Sequence, residues 1–188
     1  MAQYRNSPIS YGMVAQAFHW IVAALVLVQF PLGVYAADLP VSLARLQWLT
    51  RHKSLGLLIL AVVLVRLAWR AFNRPPSLPD AMPRWERVGA HVDHWLIYAL
   101  LLAAPLTGWL YASAAGLPAG WFGLFAVPDL VPKDRAAAAV YHDWHVALVT
   151  LLGALVAVHI GAALRHAFVR RDGVMQRMLP WRQRERTP

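Results

Sequence analysis

Four apolar stretches, each about as long as a lipid bilayer's core is thick, leave this chain few ways to fold. They run over residues 13–37, 48–69, 92–115 and 144–167. A helix needs about 20 mostly apolar residues to cross a hydrocarbon layer about 30 Å thick, and each stretch reaches that length. Backbone in lipid must satisfy its own polar groups, so such stretches become helices. The expected fold is an all-α membrane protein, a bundle of four transmembrane helices forming a single domain over residues 1–188.

Composition points the same way. Of 188 residues, 59% are hydrophobic and only 14% charged, whereas soluble domains carry about 25% charged residues. The net charge of +9 would suggest nucleic acid in a soluble protein. Here the basic residues flank the apolar stretches, so lipid is the expected partner and nucleic acid is not. The absence of cysteine excludes disulfides, iron–sulfur clusters and thiolate sites. The first stretch reads as a retained span and not a signal peptide, because its apolar run is too long and only Arg5 precedes it.

Basic residues set the expected orientation. Arg5, Arg66, Arg70, Arg74, Arg84, Arg87, Arg165, Arg170, Arg171, Arg177, Arg182, Arg184 and Arg186 fall on one side, thirteen in all. The other side holds five: Arg45, Arg51, Lys53, Lys133 and Arg135. The positive-inside rule places both termini in the cytoplasm of a multi-pass bacterial inner-membrane protein. The inner connection contains Pro75, Pro76, Pro79 and Pro83 and should be stiff and extended. The outer connection, about 116–141, is rich in Gly, Pro and aromatics. Its Trp121, Phe122 and Phe125 should lie at the membrane surface or cap the bundle.

The histidines then acquire depths. His145 and His159 are fourteen residues apart, nearly four helical turns, so they share a face and lie roughly 21 Å apart along the axis. His52 comes early in a helix that starts outside, and His19 early in one that starts inside. The levels therefore pair His52 with His145 outside and His19 with His159 inside. Ionisable groups at such depths are functional candidates. Two facing imidazoles can clamp a planar cofactor along its axis, as in a b-type haem held between helices. A zinc site would want four ligands at one point. Two haems at two levels would make an electron path. Gly56 and Gly153 could let a flat ring approach the backbone. Arg66, fourteen residues after His52, could pair with propionates inside, and Arg51, Lys53 and Arg135 could do so outside.

Specific stretches resemble the bacterial cytochrome b561 family. They are Phe18-His19-Trp20, Arg51-His52-Lys53-Ser54-Leu55-Gly56, Ala90-His91-Val92-Asp93-His94, Pro105-Leu106-Thr107-Gly108, Trp121-Phe122-Gly123-Leu124-Phe125, Trp144-His145 and His159. The likeness covers essentially the whole chain. It implies two haem b groups, one with iron on His19 and His159, the other with iron on His52 and His145. It also implies an oxidoreductase activity known in the family, superoxide oxidation at the periplasmic face with reduction of ubiquinone. The wider superfamily includes cytochrome b subunits that relay electrons for dehydrogenases and hydrogenases, which is the alternative function. A haem-free small membrane protein is a third.

On that reading, Arg51, Lys53 and Arg135, with Arg45 and Lys133, would concentrate an anionic donor. His91 and His94, one turn apart around Asp93, are candidates for a quinone or proton role. His142 could be an alternative ligand to His145, and His166 an interfacial or propionate contact.

Overall fold

The computed structural model describes residues 3–79, 81–117 and 119–179. Four long helices carry the chain: α1 (Met13–Asp38), α2 (Leu43–Phe72), α3 (Arg84–Ala114) and α4 (Arg135–Arg165). All four are long and apolar enough to cross a membrane. Many large apolar side chains face outward along them, among them Leu27, Val28, Leu64, Val65, Leu151 and Val158. In water such faces would be a liability; in lipid they are the contact surface.

The helices run past the apolar stretches because their ends are capped in polar sequence. Ser42 accepts the amide of Arg45 at 3.2 Å and starts α2 five residues ahead of Trp48. Pro83 precedes the first turn of α3, where a missing N–H costs nothing. Asp134 accepts the amides of Ala136 and Ala137 at 2.8 and 3.1 Å, starting α4 nine residues ahead of Trp144. Gly116 closes α3 in the left-handed region at φ +68°. The amide of Leu117 bonds the Ala112 carbonyl and that of Gly116 the Ser113 carbonyl, which satisfies the last turn. Pro31 and Pro105 lie inside α1 and α3.

One feature departs from an all-helical expectation. Between α3 and α4, β1 (Ala119–Trp121) and β2 (Phe125–Val127) form an antiparallel hairpin. In the three-residue loop Phe122–Leu124 between them, Phe122 and Gly123, at φ +50° and +75°, make a tight turn closed by the Leu124 amide on the Trp121 carbonyl at 2.9 Å. Ser54 on α2 ties the hairpin down: its hydroxyl donates to the Gly120 carbonyl at 2.9 Å and accepts the Phe122 amide at 3.0 Å. The hairpin thus caps the bundle.

At the opposite end the two terminal segments and the proline-rich connection interlock. Asn6 donates to the Asn73 carbonyl at 3.0 Å and the Ser77 amide to the Pro8 carbonyl at 3.2 Å. After α4 come a wide turn over His166–Arg170 and a short helix over Met175–Met178. Gln16 and Trp20 of α1 hold this segment through the carbonyls of Arg177 and Met178, at 3.0 and 2.8 Å. Buried Glu86 pairs with Arg165 at 2.9 Å and Arg170 at 2.5 Å.

Backbone packing is uneven. α4 lies along α3, α1 along α2, and α2 against α3, while α4 makes no comparably extensive contact with α1 or α2. An apolar layer fills the middle of the bundle, with Val22, Val26, Ile59, Val63, Leu101 and Leu152 at its centre.

Candidate functional site

The two histidine pairs bridge the helices whose backbones stand apart. His19 on α1 faces His159 on α4, with ring centres 6.3 Å apart and planes at 53°. His52 on α2 faces His145 on the same α4, at 6.2 Å and 83°. These are the partners expected from depth. All four rings are half-buried.

The separation can be tested against a metal-centred cofactor. Two metal–imidazole bonds of about 2 Å, with about 1 Å more from each nitrogen to its ring centre, set collinear rings roughly 6 Å apart. Both pairs match. Among the described residues no cluster of three or more His, Asp or Glu could hold a lone metal ion. The donor set therefore suits an iron that brings its own four equatorial nitrogens, as haem does.

Neighbouring groups fix the rings. His145 donates Nδ1–H to the Ala104 carbonyl on α3 at 2.9 Å. Gly108, one turn on, opens that path: a Cβ there would come within 3.0 Å of His145 Cε1. Gly33 does the same for His52, where a Cβ would stand 2.7 Å from Cε1. The Gln29 amide holds the His52 carbonyl at 2.9 Å. The Nδ1 atom of His52 is buried with no hydrogen-bond partner. His159 donates Nδ1–H to the Asp93 carboxylate at 2.9 Å. A carbonyl or carboxylate on Nδ1 leaves Nε2 free to bind a metal, the usual arrangement of a ligating histidine.

Arg66 sits at the pair of His19 and His159, its Nη2 3.3 Å from His19 Nδ1 and its guanidinium 5.2 Å from the Tyr98 ring centre. Arginine has no acceptor, so Nδ1 takes that role here. A metal on Nε2 would leave the proton on Nδ1 and turn Arg66 toward an acceptor, and a carboxylate such as a propionate suits its fork.

The other candidates divide. His94 joins the pair of His19 and His159, 5.1 Å from the His159 ring, and bonds the Ala90 carbonyl through Nδ1 at 2.5 Å. With Tyr11, His19, Arg66, Tyr98 and Met178 it lines a narrow cavity of about 40 Å³. His91 is exposed and bonds the Arg87 carbonyl at 2.7 Å, outside the lining of that cavity. His142 packs edge-on against Tyr111 at 5.2 Å and belongs to neither pair. His166 bonds Asp172 at 2.6 Å. Arg135 lines a cleft of about 670 Å³ with Lys133, Tyr111 and His142. Arg51 instead lies over the Trp48 ring at 4.4 Å, and Lys53 follows the ligand candidate His52 on α2.

The glycines correct one expectation. The space at Gly56 is taken by the Gln29 amide and that at Gly153 by the Phe30 ring, at 3.2 Å from where each Cβ would stand. Gly33 and Gly108 are the glycines that open onto the histidines. Asp93 and Ala104 were likewise missed as ring partners, and Gln29 as the partner of the His52 carbonyl. Asp93 could have been suspected from its place on α3 at the level of His159.

A family model described as prokaryotic cytochrome b561 matches residues 10–181. This chain belongs to the prokaryotic cytochrome b561 family. It is similar to cytochrome b561 homolog 2 of Escherichia coli K12, 33% identical over 181 residues and 94% of each chain. It is also similar to a protein of Yersinia pestis named probable superoxide oxidase CybB, 28% identical over 172 residues, 90% of this chain and 96% of that one. A third relative, cytochrome b561 homolog 1 of Escherichia coli K12, is 27% identical over 131 residues, 70% of this chain and 74% of its own. This b561 cytochrome is thus a multi-pass bacterial membrane protein, and its family implies haem b.

Proposed function

We propose that this b561 cytochrome holds two haem b groups, one between His52 and His145 and one between His19 and His159, and carries electrons across the bacterial inner membrane. The observation that carries the reading is the equal spacing of the two pairs, 6.2 and 6.3 Å, at two levels of one helix. Bound haem supplies a one-electron carrier at each level. With both termini cytoplasmic, His52 and His145 lie toward the periplasm. There the donor is superoxide, in keeping with the name of the Yersinia relative; the acceptor is ubiquinone. Two superoxide ions lose one electron each and leave as dioxygen. One ubiquinone takes both electrons and two protons to become ubiquinol.

The chain's own residues have defined tasks in this scheme. Arg51, Lys53 and Arg135 raise the local concentration of the small anion. Ala104 and Asp93 hold His145 and His159 by their Nδ1 protons. Arg66 would hold a haem propionate. His94, in the inner cavity, is placed to pass a proton toward the acceptor.

The test is stopped-flow mixing of the purified, oxidised protein with superoxide under anaerobic conditions, then with ubiquinone. Rapid growth of the reduced b-type α-band followed by ubiquinol formation is the expected result. A red protein that stays oxidised in superoxide and purifies with a dehydrogenase would support the relay function instead.

A further inference from the structure

The two histidine pairs differ in what their α4 member donates to. His145 gives its Nδ1 proton to a neutral carbonyl, Ala104, at 2.9 Å. His159 gives the same proton, at the same distance, to the carboxylate of Asp93. The side chain of Asp93 is 16% exposed, and its second oxygen, Oδ1, is buried with no hydrogen-bond partner. Its hydrogen bonding is thus committed to the imidazole. Of the cations in this neighbourhood, Arg66 contacts the opposite ring, His19, and Arg70 lies over the Trp95 and Tyr98 rings.

We propose that Asp93 is a positioning residue for the inner haem: it fixes His159 as an Nε2 ligand and lowers the reduction potential of that haem relative to a neutral acceptor. The inference rests on the di-haem reading above. A carboxylate on Nδ1–H orients the ring and makes the imidazole a stronger donor. Ferric haem with two neutral axial ligands carries one more positive charge than ferrous haem. A nearby anion therefore favours the ferric form, as does the stronger donor. The outer pair, held by a carbonyl, lacks both effects.

The test is an anaerobic spectroelectrochemical titration of the purified protein, with haem content measured alongside, for wild type, Asp93→Asn and Asp93→Glu. Asn keeps an acceptor of the same shape without the charge. The expected result is two haems in Asp93→Asn, with one component shifted upward and the other unmoved. At fixed potential the shifted haem's oxidised-to-reduced ratio should fall about tenfold, which is ~59 mV for one electron. Asp93→Glu should restore most of the shift. If Asp93→Asn loses one haem, retention of both in Asp93→Glu supports the proposal, and loss in both variants overturns it. Two loaded haems with unchanged potentials in Asp93→Asn also overturn it, while leaving the di-haem reading intact. A wild-type protein carrying fewer than two haems would instead refute that reading itself.

Discussion

His52 and His145 face each other across 6.2 Å, from α2 and α4, two helices whose backbones are not closely packed. Gly33 on α1 and Gly108 on α3 press against the outer edges of the two rings. All four helices thus contribute to one level of the bundle, two with ligand candidates and two with glycines that make room for them.

Gly33→Ala should cost haem more than stability. The new Cβ would stand 2.7 Å from His52 Cε1, which only movement of the ring can relieve. The expected outcome is a folded protein with close to one haem per chain, read from the pyridine haemochrome spectrum. Gly161→Ala, where a Cβ meets nothing within 4 Å, should keep both.

The segment after α4 depends on a charge cluster. Glu86, with a side chain 6% exposed, accepts from Arg165 and Arg170. Removing the carboxylate leaves two cations facing one another without their shared partner. Glu86→Gln should lower the melting temperature and speed proteolysis within residues 166–179. An unchanged digestion pattern would contradict the clamp.

Acid should loosen the same segment by a second route. Burial would lift the Asp172 carboxyl, but the His166 hydrogen bond and the Val174 amide outweigh it and hold it below the ordinary carboxylate value of 3.8. A depressed carboxyl contributes stability that is fully present above that value and lost as pH falls through the lower folded one. Hydrogen exchange over residues 171–175 should therefore stay slow above about pH 4, once corrected for intrinsic rates, and lose protection below it.

The spans were legible because hydropathy over twenty residues is a strong signal, and fourteen-residue spacing placed His145 and His159 on one face. Their partners followed from depth alone. Helix ends were less legible: Ser42, Pro83 and Asp134 start their helices in polar sequence, where hydropathy is silent. The hairpin depends on Ser54 meeting Gly120, sixty-six residues away, and no local pattern announces that. Asp93 was visible between His91 and His94, but its bond to His159 exists only once α3 packs on α4. Gly56 and Gly153 looked right by position. Which glycine opens onto a histidine is decided by helix rotation, which spacing along one helix does not supply.

Anion capture makes a kinetic prediction. Replacing Arg51, Lys53 and Arg135 by Gln should slow superoxide-driven haem reduction several-fold at low salt and flatten its ionic-strength dependence. A rate equal to wild type at every salt concentration would rule out steering by these groups.

The central claim is most directly tested by the haem-to-protein ratio of the purified chain and its histidine variants. Wild type should bind two haem b per chain, His145→Ala and His159→Ala one each, and the double variant none. The spectrum lost with His159→Ala should be the one retained by His145→Ala. A ratio of one in the wild type, or two haems surviving in either single variant, would contradict the pairing of His52 with His145 and His19 with His159.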